Sequence, residues 1–123
     1  MEPLKLAVFD ADDLAIVSAH LQDSLLKIGD LTYLPDQRRF AFVCKRFDWE
    51  AAPREPRRRL TGLHFERVLR VRTRGIDRAR ADGTLNLLAV TFEPQDPPGG
   101  LATLVFAGGA SVQLDLECVE ALM

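Results

Sequence analysis

Residues 11–21 of this chain carry their apolar residues at helical spacing. The remaining apolar runs, such as Leu87-Leu88-Ala89-Val90, are strand-sized. Parallel strands need crossovers of a dozen or more residues, usually helices. With no helices to supply them, neighbouring strands are expected to be antiparallel. The expected class is α+β: a mostly antiparallel, strongly bent sheet (a roll or half-barrel) packed on an N-terminal helix, with a short C-terminal helix. The 123 residues are 47% hydrophobic, enough for a core without staples, and are read as a single domain, 1–123.

Residues 4–9 read as a strand. Asp10 is an N-cap, with Asp12 and Asp13 in the first turn, where carboxylates suit the positive end of the helix dipole. Leu14, Val17 and Leu21 then form the apolar face of the helix. Strands follow at 25–34 and 39–47, with Gly29-Asp30 marking a bulge or bend in the first. A turn at Pro35-Asp36-Gln37-Arg38 pairs Tyr33 with Phe40 and Leu31 with Phe42. Two prolines and dense charge make 48–60 a loop. One long strand is predicted over 61–73, with a twist or bulge at Arg67-Val68. Leu63, Phe65, Leu69 and Val71 take one face; His64, Glu66, Arg70, Arg72 and Arg74 take the other. A strand at 85–93 precedes a hairpin of 101–107 and 111–117. A three-residue loop, Gly108-Gly109-Ala110, pairs Phe106 with Val112 and Leu104 with Leu114, so the apolar faces coincide. Residues 118–123 are the predicted terminal helix.

Charge is strongly segregated along the chain. Residues 1–37 carry two basic and seven acidic side chains, residues 38–80 fourteen and five, and residues 81–123 none and six. The formal net charge is −2. No apolar run nears the roughly 18 residues of a membrane span. The N-terminus has neither a basic leader nor a small-residue cleavage site, so the expected compartment is the cytoplasm. Cys44 and Cys118 lie in apolar stretches and read as buried reduced thiols. With His20 and His64 they show no ligand-type spacing, so no metal or other cofactor is expected.

Several stretches together carry a family resemblance: Leu21-Gln22-Asp23 into Lys27-Ile28-Gly29-Asp30, Tyr33-Leu34-Pro35, Arg38-Arg39-Phe40-Ala41 and Arg46-Phe47-Asp48-Trp49-Glu50. Phe65-Glu66-Arg67-Val68, Phe92-Glu93-Pro94 and Phe106-Ala107-Gly108-Gly109 add to it. The chain resembles a DUF2948-like family of domains of unknown function, found mainly in alphaproteobacteria. The resemblance implies a stand-alone single-domain protein and brings no activity, catalytic residue or cofactor.

The candidate site residues are arginines: Arg57, Arg58 and Arg59 in the loop, and Arg70, Arg72 and Arg74 on one strand face. A guanidinium offers a planar fork of donors that suits phosphate or carboxylate. Trp49, with Phe47 and Tyr33, would be an aromatic anchor for a protein partner. Against this stands pairing of the arginines with the acidic flanking segments. A Cys44 dyad with His64 or His20 is set aside, because Cys44 shares a face with Phe40 and Phe42. The expectation is a non-catalytic binding or accessory domain, not an enzyme, docking an acidic protein partner or a second copy through the basic centre. The alternative is a small-molecule or anion binder within the sheet. A nucleic-acid role is disfavoured by the negative net charge and the lack of a stacking platform.

Overall fold

The computed structural model describes residues 5–47 and 58–123. The elements run β1 (Ala7–Val8), α1 (Ala11–Leu21), β2 (Ser24–Lys27), β3 (Thr32–Leu34), β4 (Arg39–Phe47), β5 (Arg58–Phe65), β6 (Val68–Arg74), β7 (Thr84–Pro94), β8 (Gly100–Phe106), β9 (Ser111–Leu116) and β10 (Ala121–Leu122). The ten strands of the described residues join one sheet in the order β1-β10-β5-β4-β2-β7-β8-β9-β6, with β3 pairing β4 off this path. Every pairing is antiparallel. Among the described residues the sheet is antiparallel throughout, is not closed and carries one α-helix, which fits the α+β class. Among the described residues no helix is long and apolar enough to cross a membrane.

The helix begins as its sequence dictates. Asp13 N donates to Asp10 Oδ1 at 2.8 Å, and Phe9 N donates back to Asp13 Oδ2 at 3.0 Å. Two N-terminal donors are thus satisfied reciprocally. Leu14, Val17 and Leu21 are at most 1% exposed and share one core with Phe65, Phe106, Leu87, Leu104 and Leu114. Full burial of such a side chain contributes about 1.5–3 kcal/mol. The helix packs mainly on β7. Past the start of β2, where Ser24 opposes Leu87, Ser18 Oγ accepts from Val90 N at 2.9 Å. That contact lies just past the bulge between Leu87 and Ala89 in the β7–β8 pairing.

The hairpin of β3 and β4 has the expected pairing of Tyr33 with Phe40. A 3-10 turn, Pro35–Gln37, makes the reversal, with Arg38 left-handed at φ 51. The strand expected at 25–34 is divided by a second 3-10 turn at Ile28–Asp30, the site marked by Gly29-Asp30. The β8–β9 loop has three residues, but they are Ala107–Gly109, not 108–110. Both glycines take positive φ, 82° and 86°, which centres the reversal on Gly108. Phe106 N accordingly donates to Ala110 O at 2.9 Å. The register moves by two, so Leu104 opposes Val112 and Ala102 opposes Leu114, with the apolar faces still matched.

Three expectations are corrected. No helix forms at 118–123. Ala121–Leu122 is instead a strand between β1 and β5, and Leu6 and Met123 exchange backbone hydrogen bonds of 3.1 and 2.9 Å. The single strand expected at 61–73 is two, broken at Arg67 (φ 59). Val68 enters the core, whereas Leu69 is 52% exposed. The loop expected at 48–60 gives way to β5 from Arg58; residues 48–57 lie outside the described residues.

Three turns meet where β5 passes into β6. Val68 N donates to Arg38 O (2.9 Å), Glu66 N to Glu120 O (2.8 Å) and Glu117 N to Arg67 O (2.9 Å). The last strand of the path therefore returns to the β3–β4 hairpin.

Candidate functional site

β6 is a strand of alternating character. Val71 packs against the core, while Arg70, Arg72 and Arg74 point outward and are exposed. Its only strand neighbour among the described residues is β9. The register sets Arg70 opposite Asp115, Arg72 opposite Gln113 and Arg74 opposite Ser111. One carboxylate serves two cations: Arg70 Nε reaches Asp115 Oδ2 at 2.9 Å, and Arg72 Nη2 reaches Oδ1 at 3.3 Å. Arg74 has no ion pair among the described residues. Arg78 and Arg80 follow in the exposed turn, with Asp77 and Asp82 beside them. Asp77 Oδ1 accepts Ala79 N at 3.1 Å. This flank therefore keeps more cations than carboxylates.

The other candidate arginines sit elsewhere. Arg58, opposite Phe47 on β4, donates to the carbonyls of Asp23 (2.7 Å) and Lys45 (3.2 Å). Arg59 is half-buried and engaged, opposite Arg46, itself 2% exposed. Arg46 donates to Thr61 Oγ1 at 3.2 Å and to Phe47 O at 3.3 Å. β5 pairs with β4 and β10, whereas β6 pairs with β9. Arg58 and Arg59 are thus built into a different part of the sheet from Arg70, Arg72 and Arg74. Arg57 and Trp49 lie outside the described residues. Tyr33, the suggested companion of Trp49, turns inward and donates its hydroxyl to Val68 O at 3.0 Å.

Among the described residues, three ion pairs gather at the corner of the three turns. Arg39 grips Glu66 with Nε 2.9 Å from both carboxylate oxygens and Nη2 2.6 Å from Oε1. That hydrogen-bonded fork holds the Glu66 carboxyl below its ordinary value against a burial effect that pushes it up. Arg38–Glu117 (3.5 Å) and Arg67–Glu120 (3.4 Å) flank it.

Cys44 and Cys118 are free thiols. Burial pushes the Cys44 thiol up, outweighing the Ser24 hydroxyl and the Arg46 charge. A raised thiol is a poor nucleophile. His64 lies on the opposite side of the sheet from Cys44, since Ala41 opposes it and Cys44 opposes Thr61. Among the described residues no group of three or more His, Cys, Asp or Glu side chains could hold a metal ion.

Two concavities matter. One, of about 690 Å³, crosses the outer face of β4 and β5, where Gly62 leaves space between Val43, Leu60 and Leu122. The other, of about 400 Å³, opens between β3 and β6 and reaches Tyr33, Phe40, Val71, Ile76 and Val112. The alternation of arginines on β6 was visible in the sequence. The slot beside them was not, because it forms only where β6 returns to β3.

Residues 4–123 match a family model described as "Protein of unknown function (DUF2948)". No curated protein and no solved structure matches the chain.

Proposed function

The chain belongs to the DUF2948 family, which brings no activity with it, and from its own side chains we propose a non-catalytic domain that docks an acidic segment of a protein partner through the outer face of β6. One observation carries this reading: three outward arginines on β6 face a single carboxylate, Asp115, and two neutral residues, Gln113 and Ser111. A strand whose cations served only internal pairing would meet an acid opposite each. Guanidinium forks that remain available are suited to partner carboxylates. The bent sheet, taken as a half-barrel open along this flank, would present them on its rim. Two copies meeting here would bring arginine against arginine, which favours a different, acidic chain over self-association. Nucleic acid fits less well, since the chain's net charge is −2.

The test is affinity capture from the native host with the wild-type chain and with the Arg72→Glu/Arg74→Glu double variant. Lys27→Glu, at the exposed last residue of β2, serves as the charge-reversal control. The expected result is a set of acidic partners that the control retains and the double variant loses, with retention falling as salt is raised. An identical partner set for the correctly folded double variant would sink the proposal.

A further inference from the structure

We infer that the acidic segment binds as an added β-strand along the edge of β6 that faces β3, with its apolar side chains filling the slot between them. This rests on the docking reading above and adds the conformation and sequence pattern of the ligand.

The argument starts from strand geometry. Among the described residues β6 pairs only with β9, and β3 only with β4. Each therefore leaves one row of backbone groups without a strand partner. The two edges touch at one end, where Val68 N meets Arg38 O and Tyr33 Oη meets Val68 O. Beyond that contact they bound the cavity of about 400 Å³. Tyr33, Phe40, Val71, Ile76 and Val112 give it apolar surface, with Thr73 and Arg78 beside them, and Phe40 and Val112 are core residues only 2% and 0% exposed. An unpaired edge beside an opening into the core is a template for strand addition.

Side-chain alternation then specifies the occupant. Neighbouring strands in a sheet send side chains at the same level to the same face. On β6, Val71 and Thr73 face the slot and Arg70, Arg72 and Arg74 face outward. A strand laid beside it must alternate likewise, apolar residues entering the slot and carboxylates meeting the arginines. A second β6 would place arginines opposite arginines, so the same charges that select an acidic strand reject the protein's own edge.

The experiment uses the full chain and two labelled peptides of identical Glu and Val composition, one alternating and one with the residues in two blocks. Binding is followed by fluorescence anisotropy, and amide exchange is mapped in the bound state. The expected result is binding of the alternating peptide at least about tenfold tighter, a difference near 1.4 kcal/mol. Added amide protection should appear in β6 and β3 and not in β5. Equal binding of both peptides, released by Arg72→Glu/Arg74→Glu and without new protection in β6, would overturn strand addition and leave charge-based docking standing. No binding of either peptide would count against the docking reading itself.

Discussion

Besides its apolar face, the helix meets the sheet through the Ser18 hydroxyl. β2 covers the edge of β7 only as far as Leu87. Beyond it the backbone N–H of Val90, a residue 5% exposed, finds Ser18 Oγ at 2.9 Å. Removing that acceptor strands a partly buried donor, a loss of roughly 1–3 kcal/mol. Ser18→Ala should therefore lower the urea midpoint with an unchanged denaturant slope, and speed exchange of the Val90 amide relative to its β7 neighbours. A midpoint within error of wild type would mean that water replaces the hydroxyl without loss. Ser18 itself was unremarkable in the sequence, because its partner is 72 residues away. Asp10 and Asp13, by contrast, were legible as caps because both ends of each contact lie within four residues.

The same division between local and distant causes runs through the secondary elements. The β3–β4 register was readable because Pro35 sets the turn and Tyr33 and Phe40 match across it. The terminal strand was not. Val119, Ala121 and Met123 are buried while Glu120 and Leu122 are not, a strand alternation. Six residues are too few to separate that from a helical turn, and the gap between β1 and β5 decides. The break at Arg67 was also hidden: a non-glycine residue at positive φ is unfavourable locally, and three tertiary hydrogen bonds around it hold the turn. The arginine face of β6 survived this error because alternation within 70–74 lies beyond the irregularity between Val68 and Arg70 and does not depend on where the strand began. Since β10 lies between β1 and β5, the Ala121 N–H faces a strand partner whichever way it points. Proline there removes the donor. Ala121→Pro should accelerate amide exchange in residues 6–9 by about tenfold or more, a loss of around 1.4 kcal/mol or more, while β8 and β9 stay protected. Equal acceleration in β8 and β9 would mean that β1 and β10 do not open separately from the rest of the sheet.

Folding resolves the charge segregation of the chain unevenly. The corner where the β3–β4 turn, the β5–β6 turn and the β9–β10 connection interlock is neutralised by Arg39–Glu66, Arg38–Glu117 and Arg67–Glu120; the outer face of β6 keeps an excess of arginine. The corner holds the β6 end of the sheet against the β3–β4 hairpin, and through Glu66 its contribution to stability depends on pH. The folded value of Glu66 is lowered, by the Arg39 fork first, with help from the Arg39, His64 and Arg67 charges. A depressed carboxyl adds stability that is complete above its ordinary value and lost as the pH falls through its folded value. Glu66→Gln removes that contribution while keeping a polar side chain beside Arg39. At neutral pH the variant should melt below wild type. The gap should hold until the pH falls beneath the ordinary glutamate value, 4.5, and then close as the wild-type carboxylate takes up its proton. Both side chains are partly solvated, at 42% and 23% exposure, so added salt should narrow the neutral-pH gap as well. Melting curves for both proteins from neutral pH to about pH 3 decide the matter. A gap that stays constant across that range would mean that the fork contributes packing and no charge pairing, and that the corner holds the sheet ends together through its backbone hydrogen bonds.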